Sequence, residues 1–450
     1  MRLYNTLSRQ LEELPEPPGP IRMYFCGPTV YQRAHIGNAR PFVLGMWLRA
    51  WLLERGYDAT LVHNITDVND KIYDAAPGAS AELAACATDW YLQDTSDLGL
   101  GMPDELPKAT DAIPSIVRFI GQLVDSGHAY AVEGDVYFRV ASDPGYGRLS
   151  GQRPDQVEEQ EPNPLKEDPR DFALWKANKP GEDTAWDSPW GRGRPGWHIE
   201  CSAMAEDAFG PVFEIHGGGL DLVFPHHENE LAQSTAAGDG FARYWMHNGF
   251  VTMSGEKMSK SLGNTLQVRE IVKQWRAVEV RYYLGAAHYR SVIEFSPAAL
   301  DEAAAAYRRI ENFVEKATPM VETWAPSVPD AFARAMDDDL GVPAALAVLH
   351  DTVRGGNGAM ADGAKETVRE AYGAVAGMCQ VLGIWPADWT SSSNADHLDV
   401  IDALVHVALD QRAAARARKD YAASDAVRDQ LTAAGVVVED TAEGPRWSLR

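Results

Sequence analysis

Apolar residues near the start of the chain alternate between strand-like runs and helical spacing. The run RMYFC (22–26) predicts a short buried strand that Gly27 and Pro28 end. Apolar residues then recur every three or four positions until Gly56, which predicts a helix. The run TLVHNIT (60–66) predicts the next strand. A strand, a helix and a strand in this order predict a right-handed parallel unit of a doubly wound α/β sheet.

The pattern changes after about residue 110. A helical repeat of apolar residues ends at Gly127, and residues 128–140 predict a hairpin that turns at Glu133 and Gly134. Residues 142–196 are rich in Pro, Gly, Asp and Glu, which is typical of an inserted surface module. A strand-like run at 211–217 indicates that the first sheet resumes after this interruption.

The last third of the chain is rich in alanine and helical in pattern. Residues 317–330 resemble a linker, and VVVEDTAEGPRWSL near the end predicts a small hairpin. We therefore expect a Rossmann-like, doubly wound parallel domain with an inserted α+β module. A helical bundle that ends in a small α/β tail should follow.

Composition narrows the class of protein. A chain of 450 residues exceeds one compact core, so we expect two to four domains. No apolar stretch approaches eighteen residues and the start has no apolar signal, so we expect a cytoplasmic protein without a membrane span. The net charge of -24 argues against a generic nucleic-acid binder, although a basic stripe can lie on an acidic body. Four distant cysteines suit a reducing compartment: Cys26, Cys86, Cys201 and Cys379.

The stretch AHIGNARP (34–41) lies between the first predicted strand and its helix. A glycine there lets a ligand approach the backbone, and the helix N-terminus offers unpaired N–H groups. His35 supplies a donor that can follow a phosphate through a reaction. Taken alone, the four letters HIGN favour a turn with a helix cap at Asn38 over a functional motif, because four-residue matches arise by chance.

A second motif, EKMSKSLGN (256–264), places two lysines three residues apart among serines and glycines. Lys257 and Lys260 could close over a polyphosphate, or they could belong to an ordinary solvated loop. At this order and separation the two motifs resemble the His-Ile-Gly-His and Lys-Met-Ser-Lys-Ser signatures of class I aminoacyl-tRNA synthetases. Asn38 departs from the signature because an amide donates a hydrogen bond but carries no charge.

A third constellation is spread over GWHIECSAM (196–204) and GGGLDLVFPHHENELAQS (217–234). His226 and Glu230 lie four residues apart, on one face of a predicted helix. With Cys26 and Cys201 they offer two sulfurs, a nitrogen and an oxygen, which is a plausible zinc shell. The spacing is not that of a zinc finger, and spacing alone predicts core thiols at Cys26 and Cys201 and an ordinary helix surface pair at His226 and Glu230. His227 is an equally good imidazole.

Most of the chain resembles the cysteinyl-tRNA synthetase family. The segments that carry the resemblance are FCGPTVY, AHIGNARP, NITDVNDKI, GDVYF, DFALWK, GRPGWHIECSAM, GGGLDLVFPHHENE, KMSKSLGN and a C-terminal RKDYAASDAVRDQLTAAGVVVEDT. In that family one Zn2+ per subunit is held by residues that match Cys26, Cys201, His226 and Glu230. A bond from this metal to the substrate sulfur would distinguish cysteine from serine, which apolar pockets separate weakly.

The resemblance implies a ligase that activates L-cysteine with Mg-ATP and transfers it to the terminal adenosine of tRNA(Cys). His35 and Lys260 would meet developing phosphate charge, and Lys257 would support loop closure. ATP is expected to contact His35, Asn38, Gly217, Gly218, Gly219 and Lys260. Cysteine is expected to contact Gly27, Thr66, Trp197 and Asp221.

Two basic clusters are expected to bind tRNA, although solvated helix faces explain each residue nearly as well. The predicted contacts are Arg281, Arg290, Arg412, Arg416 and Arg418, with Trp447 as a stacking platform. We expect a monomer with six parts. They are the two halves of the catalytic domain (1–110 and 196–255), an inserted connective module (111–195), a lysine-loop and stem-contact region (256–317), a helical bundle (318–395) and an anticodon-binding tail (396–450).

Two other functions stay open. A cysteine ligase of mycothiol synthesis would form the same adenylate and pass cysteine to an amino-sugar, but it would not need the tail. A non-catalytic tRNA-binding paralogue would not need His35, Lys257, Lys260 and a complete metal set. The C-terminal tail and the complete set of catalytic and metal-binding residues therefore favour the tRNA ligase.

Overall fold

A computed structural model describes residues 1–153, 162–253, 256–257, 266–433, 436–441 and 444–449. The chain divides into two compact units, residues 1–384 and 385–450. Among the described residues, no helix combines the length and apolar character that a membrane crossing needs. The finer six-part division stays a prediction.

A four-stranded parallel sheet forms the centre of the first unit. Its strand order is β10-β9-β3-β4, and the strands are β3 (Pro20–Phe25), β4 (Asp58–His63), β9 (Val212–Gly219) and β10 (Phe241–Asn248). Apolar side chains fill both faces of β3 and β4, as expected for a covered parallel sheet. The predicted strands and the return of the sheet after the insertion are confirmed.

Helix α1 (Ile36–Glu54) connects β3 to β4 and places its N-terminus at the end of β3. Gly56 follows the helix with a φ of 85°, which glycine adopts without strain. The same half of the unit contains a strand pair and two more helices. They are β1 (Arg2–Asn5), β2 (Gln10–Glu13), α2 (Asp70–Ala75) and α3 (Ser80–Asp97).

The inserted module packs helix α4 (Ile113–Asp125) with an antiparallel sheet whose strands follow chain order. Its strands are β5 (Ala129–Val132), β6 (Asp135–Phe138), β7 (Phe172–Ala177) and β8 (Gly193–Pro195). Glu133 and Gly134 have φ values of 52° and 92°, so the predicted hairpin turn lies where the sequence placed it. The module is α+β, as predicted.

Helix α5 (Trp197–Phe209) leads from the module back to β9. An irregular helical turn over Val223–His227 then precedes α6 (Glu228–Ala236), so His226 lies just before the regular helix rather than inside it. The lysine-loop region contributes β11 (Val251–Met253), β12 (Glu256–Lys257), β13 (Ile293–Glu294), α7 (Val268–Ile271), α8 (Ala277–Gly285) and α9 (Pro297–Ala317).

Three helices complete the first unit: α10 (Asp330–Asp337), α11 (Val342–Ala361) and α12 (Lys365–Leu382). The second unit consists of α13 (Thr390–Ala417), α14 (Tyr421–Ala433), β14 (Val436–Thr441) and β15 (Gly444–Leu449). The two last strands pair antiparallel with Val438 opposite Trp447, which confirms the predicted hairpin. Val405, Leu409 and Val436 form the small core of this unit.

Candidate active site and metal centre

A cleft of about 420 Å³ lies where the parallel strands end. Cys26 follows β3, Gly219 ends β9 and Asn248 ends β10, so three strand ends contribute to its lining. Ligands of doubly wound folds bind at this edge, where the strand order reverses. Seven predicted site residues line the cleft: Cys26, Gly27, His35, Asn38, Trp197, Gly219 and Asp221.

His35 forms the N-cap of α1. Its Nδ1 accepts a hydrogen bond from the backbone N–H of Asn38 at 3.3 Å. Since Nδ1 acts as an acceptor, the neutral ring carries its proton on Nε2 and can donate from that atom. The cap is therefore His35, whereas the sequence offered Asn38 for that role.

The glycines predicted to admit a ligand serve mainly the packing of the protein itself. A Cβ on Gly217 would lie 2.4 Å from the ring of Phe25, and one on Gly27 would lie 1.6 Å from the carbonyl oxygen of Asn64. A Cβ on Gly218 would approach surrounding side chains to about 3 Å. Gly217 and Gly218 do not line the cleft, so their predicted role in adenosine binding is not supported by their position.

The four predicted metal ligands meet in the interior, with one candidate atom each within 4.8 Å of the others. The two sulfurs, Sγ of Cys26 and Sγ of Cys201, are 3.8 Å apart, and Sγ of Cys26 lies 3.7 Å from Oε1 of Glu230. Nε2 of His226 lies 3.0 Å from the same Oε1. The ligands come from the end of β3, from α5, from the turn before α6 and from α6 itself.

The separation of the two sulfurs fits a tetrahedral divalent ion, whereas the 3.0 Å between Nε2 of His226 and Oε1 of Glu230 is shorter than such an ion sets. Bonds of about 2.3 Å to sulfur require sulfurs about 3.8 Å apart, and bonds of about 2.1 Å to nitrogen and oxygen require about 3.4 Å. Burial raises the pKa of the Cys26 thiol well above its usual value and lowers the pKa of His226 well below its usual value. The imidazole is thus neutral, which is the ligating form, and the buried donor set fits a cation.

A second set of four donors overlaps the first. It keeps Cys26 and Glu230 but replaces the other two ligands by His216 and His227. Nδ1 of His216 lies 2.8 Å from the backbone oxygen of Tyr24, so Nδ1 carries a proton and Nε2 points at Oε2 of Glu230, 2.8 Å away. The sequence analysis did not identify His216 as a candidate ligand. Its only signal in the sequence is that a polar residue directly follows the strand-like run PVFEI.

Trp197 connects the metal cluster to the cleft. Its ring stacks on His226 with centroids 4.2 Å apart and also lines the cleft. Thr66 lies behind that lining: it is buried, its backbone N–H donates to the oxygen of Pro28, and its hydroxyl accepts from Asn64. Lys260 lies outside the described residues, and only the backbone of Lys257 is described, in β12.

Arg281 is inconsistent with its predicted contact to tRNA. It is 5% exposed and donates to the backbone oxygens of Gly99 at 2.7 Å and Leu382 at 3.1 Å. Burial lowers the pKa of Arg281 to about 10, and the guanidinium links distant parts of the first unit. The helical spacing around Arg281 could not reveal these carbonyl partners.

The other predicted tRNA contacts differ in exposure. Arg290 binds Asp339 at 2.6 Å and its guanidinium covers the ring of Tyr4 at 4.4 Å. In the second unit Arg412 is buried, and Trp447 packs against the small core. The remaining two, Arg416 and Arg418, are exposed.

Arg40 is a further site residue that the sequence did not reveal. It is 3% exposed, and its guanidinium donates to the backbone oxygens of Gly249 and Ser291, each at 2.6 Å, of His288 at 3.0 Å and of Phe250 at 3.2 Å. Gly249 and Phe250 line the cleft and precede β11. Arg40 thus holds the start of α1 against the segment that leads into the lysine loop.

Comparison with known proteins agrees with this architecture. Residues 14–305 match the family model of the class I (C) tRNA synthetase catalytic domain. Residues 331–385 match the DALR domain, and residues 399–447 match the cysteinyl-tRNA ligase anticodon binding domain. The whole chain is 51% identical to a cysteine–tRNA ligase of Streptomyces avermitilis and 50% identical to one of Streptomyces griseus, and each match covers 99% of the relative.

Solved structures show the same fold at low identity. Methionyl-tRNA synthetase of Mycobacterium tuberculosis, in complex with methionyl-adenylate, matches with a TM-score of 0.58 and 15% identity over 81% of this chain and 90% of that chain. The Agrobacterium radiobacter K84 agnB2 LeuRS in a ternary complex matches with a TM-score of 0.58 and 12% identity over 82% of this chain and 84% of that chain.

The interrupted parallel sheet and the motif at the start of α1 define a catalytic domain of the class I aminoacyl-tRNA synthetases. Within that class, the chain belongs to the cysteinyl-tRNA synthetase family. The resemblance seen in the sequence is confirmed.

Proposed function

We propose that this chain joins L-cysteine to tRNA(Cys) in two steps. The cysteine carboxylate attacks the α-phosphate of Mg-ATP, which gives cysteinyl-adenylate and pyrophosphate. A ribose hydroxyl of the terminal adenosine of tRNA then attacks the carbonyl carbon, and AMP leaves. The observation that carries this proposal is a buried cluster of two thiols, an imidazole and a carboxylate beside the cleft of a class I synthetase fold.

Activation relies on position and charge, because no nucleophilic side chain is required. His35 donates from Nε2 to the phosphate oxygens, and the N-terminus of α1 adds its partial positive charge. We assign Asn38 and Gly219 to the nucleotide, since both line the cleft. Lys257 and Lys260 meet the charge of the leaving pyrophosphate.

We propose that zinc is the metal and that Cys26, Cys201, His226 and Glu230 hold one ion per subunit. A zinc ion held by these residues would act as a Lewis acid that prefers a thiolate to an alcohol, and it would therefore favour cysteine over serine. Trp197 fixes the ring of His226 and closes the cleft on the side of the substrate. Gly27, Thr66 and Asp221 are assigned to the backbone end of cysteine.

The second unit recognises tRNA, in keeping with its match to an anticodon-binding family model. We assign Arg416 and Arg418 to this contact because they are the exposed members of the predicted cluster. We further propose that the protein acts as a monomer in the cytoplasm. The pure protein is therefore expected to sediment as a single chain of 49.3 kDa.

The decisive experiment separates the two steps. The pure, zinc-loaded protein is expected to exchange pyrophosphate into ATP when cysteine is present and not when serine replaces it. Cys26→Ser is expected to abolish the exchange. Absence of exchange in the wild type would favour a non-catalytic paralogue. Transfer of cysteine to an amino-sugar amine, without transfer to tRNA, would favour the mycothiol ligase.

A further inference from the structure

Two of the described residues that line the cleft at the ends of the parallel strands carry a permanent positive charge, Arg33 and Lys71. The ammonium of Lys71 lies 5.8 Å from the ring centroid of Trp197, which stacks on the candidate ligand His226. Lys71 therefore lies on the side of the cleft where the metal cluster is. Arg33 comes two residues before His35, the N-cap of α1, and has no part in the function proposed above.

Helix α3 holds the side chain of Arg33 from two positions. Nη1 of Arg33 donates to Oδ1 of Asp94 at 2.7 Å, and Cζ of Arg33 lies 5.7 Å from the ring centroid of Trp90. Trp90 and Asp94 are four residues apart in the helix, so they present one face to the arginine. The side chain of Asp94 is 1% exposed and that of Arg33 is 19% exposed. The carboxylate is thus enclosed by protein, while part of the guanidinium reaches the cleft.

Asp94 also fixes the backbone beside His35. Its Oδ2 accepts a hydrogen bond from the backbone N–H of Ala34 at 3.0 Å, so one buried carboxylate holds both the side chain of Arg33 and the next peptide group. Apart from Asp94, none of the described residues accepts a hydrogen bond from the guanidinium of Arg33. Its other N–H groups form a planar fork that matches the oxygens of a phosphate.

The neighbouring backbone places this arginine at the phosphate end of the cleft. The backbone oxygen of Ala34 accepts from the N–H of Val268 at 3.0 Å. The N–H of Ile36 donates to the oxygen of Leu266, also at 3.0 Å. The chain that follows the lysine loop is therefore bound to the segment that carries the arginine. Since the phosphates were assigned to His35 and to this loop, a cation here faces phosphate oxygens, whereas cysteine belongs with the metal cluster.

We propose that Arg33 is a further catalytic residue that binds the β- and γ-phosphates of ATP while the adenylate forms, and that Asp94 positions it. As the carboxylate oxygen of cysteine bonds to the α-phosphorus, the bond from that phosphorus to the bridging oxygen breaks, and its electron pair leaves with pyrophosphate. A guanidinium keeps its charge and stabilises this leaving group. Asn38 stands where the class signature has its second histidine and supplies no charge, so Arg33 adds a cation that the motif lacks. The proposal rests on the function proposed above and adds a residue to its first step.

The test compares Arg33→Met with Arg49→Met in cysteine-dependent pyrophosphate exchange. Arg49 is also paired with a carboxylate and its side chain is 27% exposed, but it lies outside the cleft, so its variant is the matched control. Arg33→Met is expected to raise the KM for pyrophosphate about tenfold and to leave the KM for cysteine and the metal content near their wild-type values. Arg49→Met should change none of these quantities. An unchanged KM for pyrophosphate in Arg33→Met would overturn the proposal.

Binding of nucleotides without turnover gives a second measurement. In equilibrium dialysis, Arg33→Met is expected to bind ATP about tenfold more weakly than wild type and to bind AMP equally well, since AMP lacks the two outer phosphates. Transfer from preformed cysteinyl-adenylate to tRNA should keep its wild-type rate, because pyrophosphate has already left. An equal loss of affinity for ATP and AMP, a raised KM for cysteine or a slower transfer would contradict the assignment of Arg33 to these phosphates.

Asp94→Asn tests the positioning role. The amide keeps an acceptor for the N–H of Ala34 but loses the charge that holds Arg33. This variant is expected to raise the KM for pyrophosphate about threefold, and its addition to Arg33→Met should cause no further rise. The double variant also removes the buried carboxylate that Arg33→Met leaves without its partner, so it separates lost binding from lost stability. Additive effects would show that Asp94 acts independently of Arg33. A wild type that performs no exchange overturns the ligase function instead.

Discussion

The structure offers two overlapping sets of metal ligands, and a pair of variants decides between them. Cys201→Ala removes a sulfur from the predicted set, whereas His227→Asn removes a nitrogen from the alternative set. If the predicted set holds the ion, only Cys201→Ala should release it. Cys379→Ala is the matched control, because it deletes another fully buried thiol, far along the chain in α12.

The size of the effect follows from the ligand count. Structural zinc sites bind with about 12 kcal/mol, so one ligand of four contributes about 3 kcal/mol. That corresponds to a loss of about 100-fold in metal affinity for Cys201→Ala. Deleting a buried sulfur also leaves a small cavity, and Cys379→Ala measures that separate effect on stability.

Metal content after dialysis against a chelator of known affinity gives the primary measurement, and the KM for cysteine in pyrophosphate exchange gives the second. In Cys201→Ala the metal content is expected to fall and the KM for cysteine to rise. Both quantities are expected to stay near their wild-type values in His227→Asn and Cys379→Ala. Retention of zinc by Cys201→Ala with release from His227→Asn would refute the predicted ligand set. Active wild type without zinc would refute the selectivity mechanism itself.

Three other substitutions test the framework around the site. Arg22 lowers the pKa of Glu214 against the opposing effect of burial, so this pair stabilises the fold above pH 4.5 and loses its effect as the pH falls through the lowered pKa. Glu214→Gln should therefore lower the thermal midpoint near neutral pH, and the difference from wild type should vanish in acid. Gly217→Ala should lower the free energy of unfolding by about 1–3 kcal/mol because its methyl meets Phe25, and an unchanged urea midpoint would contradict this. Arg40→Met should raise the KM for ATP without loss of bound metal, and an unchanged KM would contradict its positioning role.

The architecture follows largely from local patterns. Apolar runs marked β3 and β9 because a parallel sheet buries both faces of its strands, and Glu133-Gly134 marked the hairpin because few residue pairs accept positive φ values. The cluster of four metal ligands was predicted from a family resemblance, since their spacing alone did not distinguish them from core residues.

What the sequence could not show depends on partners distant along the chain. In the sequence Arg281 looks like an ordinary surface cation, yet its guanidinium donates to the backbone oxygens of Gly99 and Leu382. Gly217 is similar: the triplet of glycines suggested a ligand, whereas the ring of Phe25 occupies the space. In both cases the partner is set by tertiary packing, which helical or strand periodicity does not encode.

The inserted module separates Cys26 from the other three candidate ligands in the order of synthesis. A nascent chain thus contains Cys26 without a complete set of partner ligands until α5, the turn before α6 and α6 itself have been made. The four donors can come together only once β9 has paired with β3, which places metal binding late in the assembly of this domain.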